Sequence, residues 1–165
     1  MRTFGRVFAL VLLLMTIGCD RVTKQFATTR LAGKPGVAYF ADTLRLEYAE
    51  NPGAFMSLGA GLPDWTRTLL LTVGTGVGLV VFAVAAFRLR SIRLCFIGAI
   101  LFIAGGASNL VDRIARGSVV DFMNVGIGSV RTGIFNVADV ALMAGVVCIV
   151  IGSQYKRGGV TGGES

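Results

Sequence analysis

The sequence contains no histidine, and only 15% of its 165 residues are charged. The first absence removes Ser–His and Cys–His nucleophile pairs and every His-ligated metal site. The second sets the chain apart from an ordinary soluble domain, which carries about 25% charged residues. Cysteine is scarce as well. Cys19, Cys95 and Cys148 lie far apart, each in an apolar stretch. Such spacing supports neither a disulfide frame nor a thiolate metal site, and the three read as small buried apolar residues. No metal or other cofactor is expected.

Apolar side chains, in contrast, make up 54% of the chain, more than a soluble domain of this length can hide. Residues 68–87 (TLLLTVGTGVGLVVFAVAAF) carry no charge, and their length is about that needed to cross a bilayer core. The expected class is an all-α integral membrane protein with four transmembrane helices, at about 7–23, 68–87, 92–111 and 134–151. The first has a rival reading. Arg2 and Arg6, a short apolar run and Gly18-Cys19 also fit a lipoprotein export signal cleaved before Cys19. The helical continuation through Asp20–Lys24 and the three later segments favour an uncleaved span.

Orientation follows from Lys and Arg counts in short segments. The loop RLRSIR (88–93) holds Arg88, Arg90 and Arg93 and no acid, so it is expected in the cytoplasm. Arg2 and Arg6 place the N-terminus there, and Lys156 and Arg157 place the C-terminus there; an even number of spans agrees. The net charge of +7 is thus explained by topology rather than by nucleic acid. Residues 1–155 read as a single membrane domain, and the Gly-rich tail 156–165 (KRGGVTGGES) is expected to be disordered.

The outward connections, 20–67 and 112–133, have structure of their own. TLRLEY (43–48) alternates with Leu44, Leu46 and Tyr48 on one face, as a half-buried strand does, and Asn51-Pro52-Gly53 ends it. VVDFMN (119–124) reads as a second strand. Together they predict a small extracytoplasmic β-sheet, or cradle, resting on the bundle. Trp65 suits an interfacial anchor. The glycines at 74, 76 and 78 lack a preceding strand and lie within a span. They read as helix packing, with Gly74 and Gly78 one GxxxG pair, and Gly105–Ser108 reads likewise.

Ionisable groups within spans are costly and mark functional candidates. Asp139 lies in the fourth segment, with Asn136 three residues earlier on the same helix face. Asn109, Asp112 and Arg113 share a face at the end of the third. Asp121 interrupts an apolar strand. Asp20 and Lys24 form an i, i+4 pair that reads equally as an interfacial salt bridge or a substrate-orienting group. Without histidine, acid–base work falls to carboxylates. Two aspartates sharing a site divide the roles, one ionised to take a proton from water and one protonated to polarise a carbonyl. These residues permit an aspartic peptidase at the membrane surface. They equally permit an Asp112–Arg113 ion pair and a locally paired Asp139.

Five segments in order, DRVTK (20–24), ENPGAFMSL (50–58), GGASNLVDR (105–113), VVDF (119–122) and FNVAD (135–139), make the chain resemble the lipoprotein signal peptidases, or signal peptidase II. The resemblance covers nearly all of the chain up to Tyr155. It implies an aspartic endopeptidase of the bacterial inner membrane, with both termini cytoplasmic and the active site on the periplasmic side. The catalytic pair would be Asp121 and Asp139, supported by Asp20, Lys24, Asn51, Gly53, Asn109, Asp112, Arg113 and Asn136. Substrates would be diacylglyceryl-modified prolipoproteins, cut just before the lipidated cysteine. Membrane lipid and globomycin-type inhibitors are the other expected partners, and a monomer is expected. ENPGAFMSL departs locally from the NxGAAFS form of many members. An ion-coupled transporter using Asp139 is the rival from another class, and it would predict a charge near the midplane and no peptide cleavage.

Overall fold

The computed structural model describes residues 2–53, 61–88 and 93–158. The Arg90 loop, the segment 54–60 within ENPGAFMSL and the tail from Gly159 lie outside the described residues. Helix α1 (Arg2–Arg30) is 29 residues long, about 43 Å at the α-helical rise. A second helical path runs from α2 (Asp64–Arg67) through a π-helical stretch, Thr68–Gly74, into α3 (Thr75–Arg88). Helices α4 (Arg93–Arg116) and α5 (Val137–Gly158) follow. Among the described residues, Asp64–Ala86, Arg93–Arg116 and Val137–Gln154 are long and apolar enough to cross a membrane.

Helix α5, expected as a span from 134, begins at Val137 and not at Ile134 as hydropathy alone suggests. Phe135 pairs with Met123 instead, exchanging Phe135 N–H to Met123 O at 2.8 Å and Met123 N–H to Phe135 O at 2.9 Å. Asp139 therefore occupies the first turn of α5 rather than a deeper one. At its other end α5 runs through Lys156 and Arg157 to Gly158, into the stretch expected to be disordered.

Both expected strands are present and longer than expected. Strands β1 (Val37–Tyr39), β2 (Leu44–Asn51), β3 (Val119–Ile127) and β4 (Val130–Arg131) form one antiparallel sheet in that order. A bulge between Leu46 and Ala49 shifts the β2–β3 register, so that Ala49 faces Asp121 and Asn51 faces Val119. Without that extra residue, Asn51 would fall on the opposite face from Asp121.

The sheet is anchored on α1. Val120 and Phe122 of β3 pack with Ala27 and Leu31 of α1, with Leu46, Tyr48, Met123 and Val137 around them. Each Val or Phe buried this completely contributes about 1.5–3 kcal/mol. Strand alternation then turns the intervening Asp121 to the other face, where it is also buried.

Helices α4 and α5 touch backbone to backbone. A Cβ at Gly98 would lie 2.6 Å from the Gly145 carbonyl, and one at Gly145 2.7 Å from the Gly98 carbonyl. Gly105 and Gly106 behave as the sequence suggests: Gly105 is closed in by the Ala138 carbonyl, and Gly106 by Leu79 of α3. Gly74 and Gly78 do not. Nothing lies within 4 Å of the Cβ position of Gly78, while Gly76 meets Leu110 at 3.5 Å. Cys19 is exposed and Cys95 and Cys148 half-buried, all three unpaired, so none is the buried apolar residue expected.

Candidate active site

The first turn of α5 is built by a reciprocal cap. Asn136 Oδ1 accepts from the Asp139 backbone N–H at 2.9 Å, and Asp139 Oδ2 accepts from the Asn136 N–H at 3.1 Å. This is the geometry of a capping box, with aspartate in the place of the usual glutamate. The Ala138 N–H, also left over at a helix start, donates to Asp20 Oδ1 of α1 at 2.9 Å. Helix α1 therefore helps to hold the N-terminus of α5.

The cap ties the two aspartates together. Asn136 Nδ2 donates to Asp121 Oδ1 at 2.6 Å, and Asn51 Nδ2 donates to Asp121 Oδ2 at 3.0 Å. Asp139 Oδ1 accepts from Asn109 Nδ2 at 2.9 Å. Each carboxylate thus meets two donors, and Asn136 contacts both. Asp121 is buried; Asp139 is half-buried and opens onto a cavity of about 440 Å³. That cavity is polar at Asn109, Arg113 and Asp139 and apolar along Leu71, Leu79, Phe82, Phe102 and Leu142.

Behind Asn109 lies a buried ionic lattice. Lys24 Nζ reaches Asn109 Oδ1 at 2.7 Å, Asp20 Oδ2 at 2.8 Å and Asp112 Oδ2 at 2.8 Å. Its ammonium thus makes one hydrogen bond, to Asn109, and two ion-pair contacts, to Asp20 and Asp112. The Asp20–Lys24 pair is therefore a buried part of the framework and not a solvated surface bridge. Asp112 pairs with Lys24 and with Arg21, the latter at 2.5 Å, which corrects the Asp112–Arg113 pairing. Arg113 points elsewhere, donating from Nη2 to the Gly53 carbonyl at 2.9 Å. The Gly53 N–H in turn donates to Asn51 Oδ1 at 2.9 Å, so Arg113 steadies the turn that presents Asn51.

All ten residues singled out in the sequence converge here. Two partners were missed. Arg21 holds Asp112, and Ser108 Oγ donates to Asp20 Oδ2 at 2.6 Å. Ser108 and Asp112 are spaced i, i+4, so they share a helix face; that pairing was the available signal.

Burial pushes the Asp121 carboxyl up to about 6 from its ordinary 3.8. The Asn51 and Asn136 amides and the Lys24 charge oppose the rise, while the Asp139 charge adds to it. No group of three or more metal-ligating side chains is found among the described residues. The chemistry at hand is that of two carboxyl groups in a shared amide cage.

The profile of the family described as Signal peptidase (SPase) II matches residues 12–155. The chain belongs to the signal peptidase II family. Lipoprotein signal peptidases similar to it include that of Sphingopyxis alaskensis, 39% identical over 150 residues, covering 89% of this chain and 83% of the relative. That of Syntrophus aciditrophicus is 33% identical over 154 residues, covering 90% and 95%. A bacterial membrane enzyme solved by the in meso method at 2.3 Å resolution shares the fold, with a TM-score of 0.80 at 23% identity, over 96% of this chain and 93% of the other. Signal peptidase II enzymes are proteases that remove signal peptides from prolipoproteins, and this chain is one of them.

Proposed function

We propose that Asp121 and Asp139 are the catalytic pair, acting on a water between them and the scissile carbonyl. Asp139 sits at a helix N-terminus and accepts from two donors, an arrangement suited to a carboxylate. It is assigned as the base that takes the water's proton. Asp121, buried and holding its proton to higher pH, is assigned as the acid that polarises the carbonyl. The carrying observation is the Asn136 bridge, which fixes both carboxyl groups in one cage.

The substrate is a prolipoprotein whose cysteine carries diacylglycerol, cut just before that cysteine. The 440 Å³ cavity supports this reading, because an apolar wall of Leu71, Leu79, Phe82, Phe102 and Leu142 adjoins Asp139. A signal peptide in lipid is helical, since its backbone must satisfy itself. Cleavage needs local unwinding, and the Asn51–Gly53 turn and Asn109 supply replacement partners at that level. The lipid anchors the bond at the depth of the pair, which is positioning rather than chemistry. Globomycin-type inhibitors would occupy the same cavity, and one copy of the chain suffices for the site.

The chain is assigned to the bacterial inner membrane with four spans. Helix α1 is the first, its exposed Val7, Leu10, Val11, Leu14 and Met15 facing lipid. Both termini are cytoplasmic and the sheet and catalytic pair periplasmic. The transporter reading has little support, because Asp139 lies in the first turn of α5 and not near a midplane. The test is cleavage of matched substrates with and without diacylglycerol. Faster cleavage of the lipidated form, blocked by globomycin, is expected; equal rates would remove the anchoring role.

A further inference from the structure

A second hollow lies on the far side of Lys24 and Asp112 from the catalytic pair. It measures about 390 Å³ and is lined by Arg21, Val22, Lys24, Gln25, Asp112 and Arg116. Helical spacing builds it. Arg21 and Gln25 are one turn apart on α1, and Asp112 and Arg116 are one turn apart on α4, so the two packed helices present both pairs to one notch.

Its donors are not all used. Arg21 Nη2 contacts Asp112 Oδ1 at 2.5 Å and the Ser108 carbonyl at 3.3 Å, while its Nε is buried without a hydrogen-bond partner. Asp112 Oδ2 is likewise buried without a hydrogen-bond partner, so the floor of the notch holds one unused donor and one unused acceptor, and its preference is set at the mouth. Arg116 and Gln25 are exposed, and Arg116 forms no ion pair among the described residues. Asp20 and Asp112 balance Lys24 and Arg21, which leaves the Arg116 charge in excess. The notch therefore selects an anion with several acceptor oxygens.

The surroundings narrow the choice. Val22 and Phe26 on α1, and Val111 beside Asp112 on α4, are exposed and give the notch an apolar margin. A free phosphate has no use for such a margin; a phospholipid has both parts. Lys24 is shared with the catalytic framework, so the notch lies at the same depth as the pair. With α1 as a membrane span, that depth is the headgroup level of the outer leaflet.

We propose that this notch binds the phosphodiester of an anionic phospholipid. Its oxygens accept from Arg116 and Gln25 at the mouth of the notch, and its acyl chains descend past Val22 and Val111. Guanidinium groups suit the phosphodiester because they donate along two directions at once.

The experiment is native mass spectrometry of the full chain released from detergent micelles. Phosphatidylglycerol or phosphatidylcholine is titrated in, with and without excess inorganic phosphate. The wild type should retain one phosphatidylglycerol about tenfold more tightly than phosphatidylcholine. Arg116→Gln should remove most of that preference, and Gln25→Glu, which brings a like charge to the mouth, should also reduce it. Inorganic phosphate should leave the bound lipid in place. Equal retention of the two lipids, an undiminished preference in both variants, or displacement of the lipid by inorganic phosphate would each overturn the proposal.

Discussion

Truncating Asn136 to alanine would undo the cap of α5 and the bridge between the aspartates in a single step, since its side chain serves Asp139 N–H, Asp121 and Asn109 together. Serine separates the two roles. Its hydroxyl accepts from a helix N–H as the Asn136 carbonyl oxygen does, but it is too short to donate to Asp121. Asn136→Ala is expected to lose about 1 kcal/mol of stability through the cap alone and to lose cleavage. Asn136→Ser is expected to recover the melting temperature without recovering turnover, which a paired denaturation and kinetic measurement will show. The Asp121 carboxyl carries a pH signature of its own. Its folded value of about 6 lies above the ordinary 3.8, so the folded chain keeps a proton that the unfolded chain has lost between those values. Stability should therefore fall as pH rises through that window, and Asp121→Asn should flatten the fall. Activity that needs this proton should decline on the alkaline side. Because the Asn51 amide favours the ionised form, Asn51→Ala should move that decline to higher pH while slowing the reaction; a shift to lower pH would contradict the assignment of Asp121 as acid.

At the scale of elements, the site depends on where α5 starts and how closely it meets α4. Gly105 abuts the Ala138 carbonyl, one residue before Asp139 and one helical turn from Asn109. Gly105→Ala would force the first turn of α5 away from Asn109, with overpacking that typically costs about 1–3 kcal/mol. Turnover should fall at least about tenfold, measured beside a melting curve, whereas Gly78→Ala, with nothing within 4 Å of its Cβ position in the interior of α3, should not lower the melting temperature. Much of this architecture was legible. Alternation exposed the first part of β2, the short apolar run VVDFMN the first part of β3, and charges in or beside apolar runs marked Asp20, Lys24, Asp112, Asp121 and Asp139. The start of α5 was not, because hydropathy counts Ile134 and Phe135 as span while the backbone spends Phe135 on a bridge to Met123. Strands β1 and β4 are three and two residues long, too short for alternation to register. The partners Arg21 and Ser108 stood next to residues already singled out, but their roles depend on contacts across 91 and 88 positions, which no local pattern encodes.

In the whole molecule, the sheet and the helix ends beside it surround one pair of carboxyl groups, Asp121 buried and Asp139 opening onto the cavity. Lys24 holds this assembly together from within. Its removal leaves Asp20 and Asp112 buried without their shared cation, and Lys24→Ala should cost about 3–5 kcal/mol of stability, read by thermal denaturation in detergent. Topology is open to a direct check: reporters at Arg90 and at the C-terminus should read cytoplasmic, and one within residues 30–40 should read periplasmic. A periplasmic signal at Arg90 would put the carboxyl pair on the wrong side for its substrate. The most direct test of the catalytic assignment is single-turnover cleavage of a diacylglyceryl-modified prolipoprotein by the wild type, Asp121→Asn and Asp139→Asn, each first confirmed as folded by its melting curve. The account predicts cleavage by the wild type and none by either variant; near-normal turnover in either folded variant would contradict it.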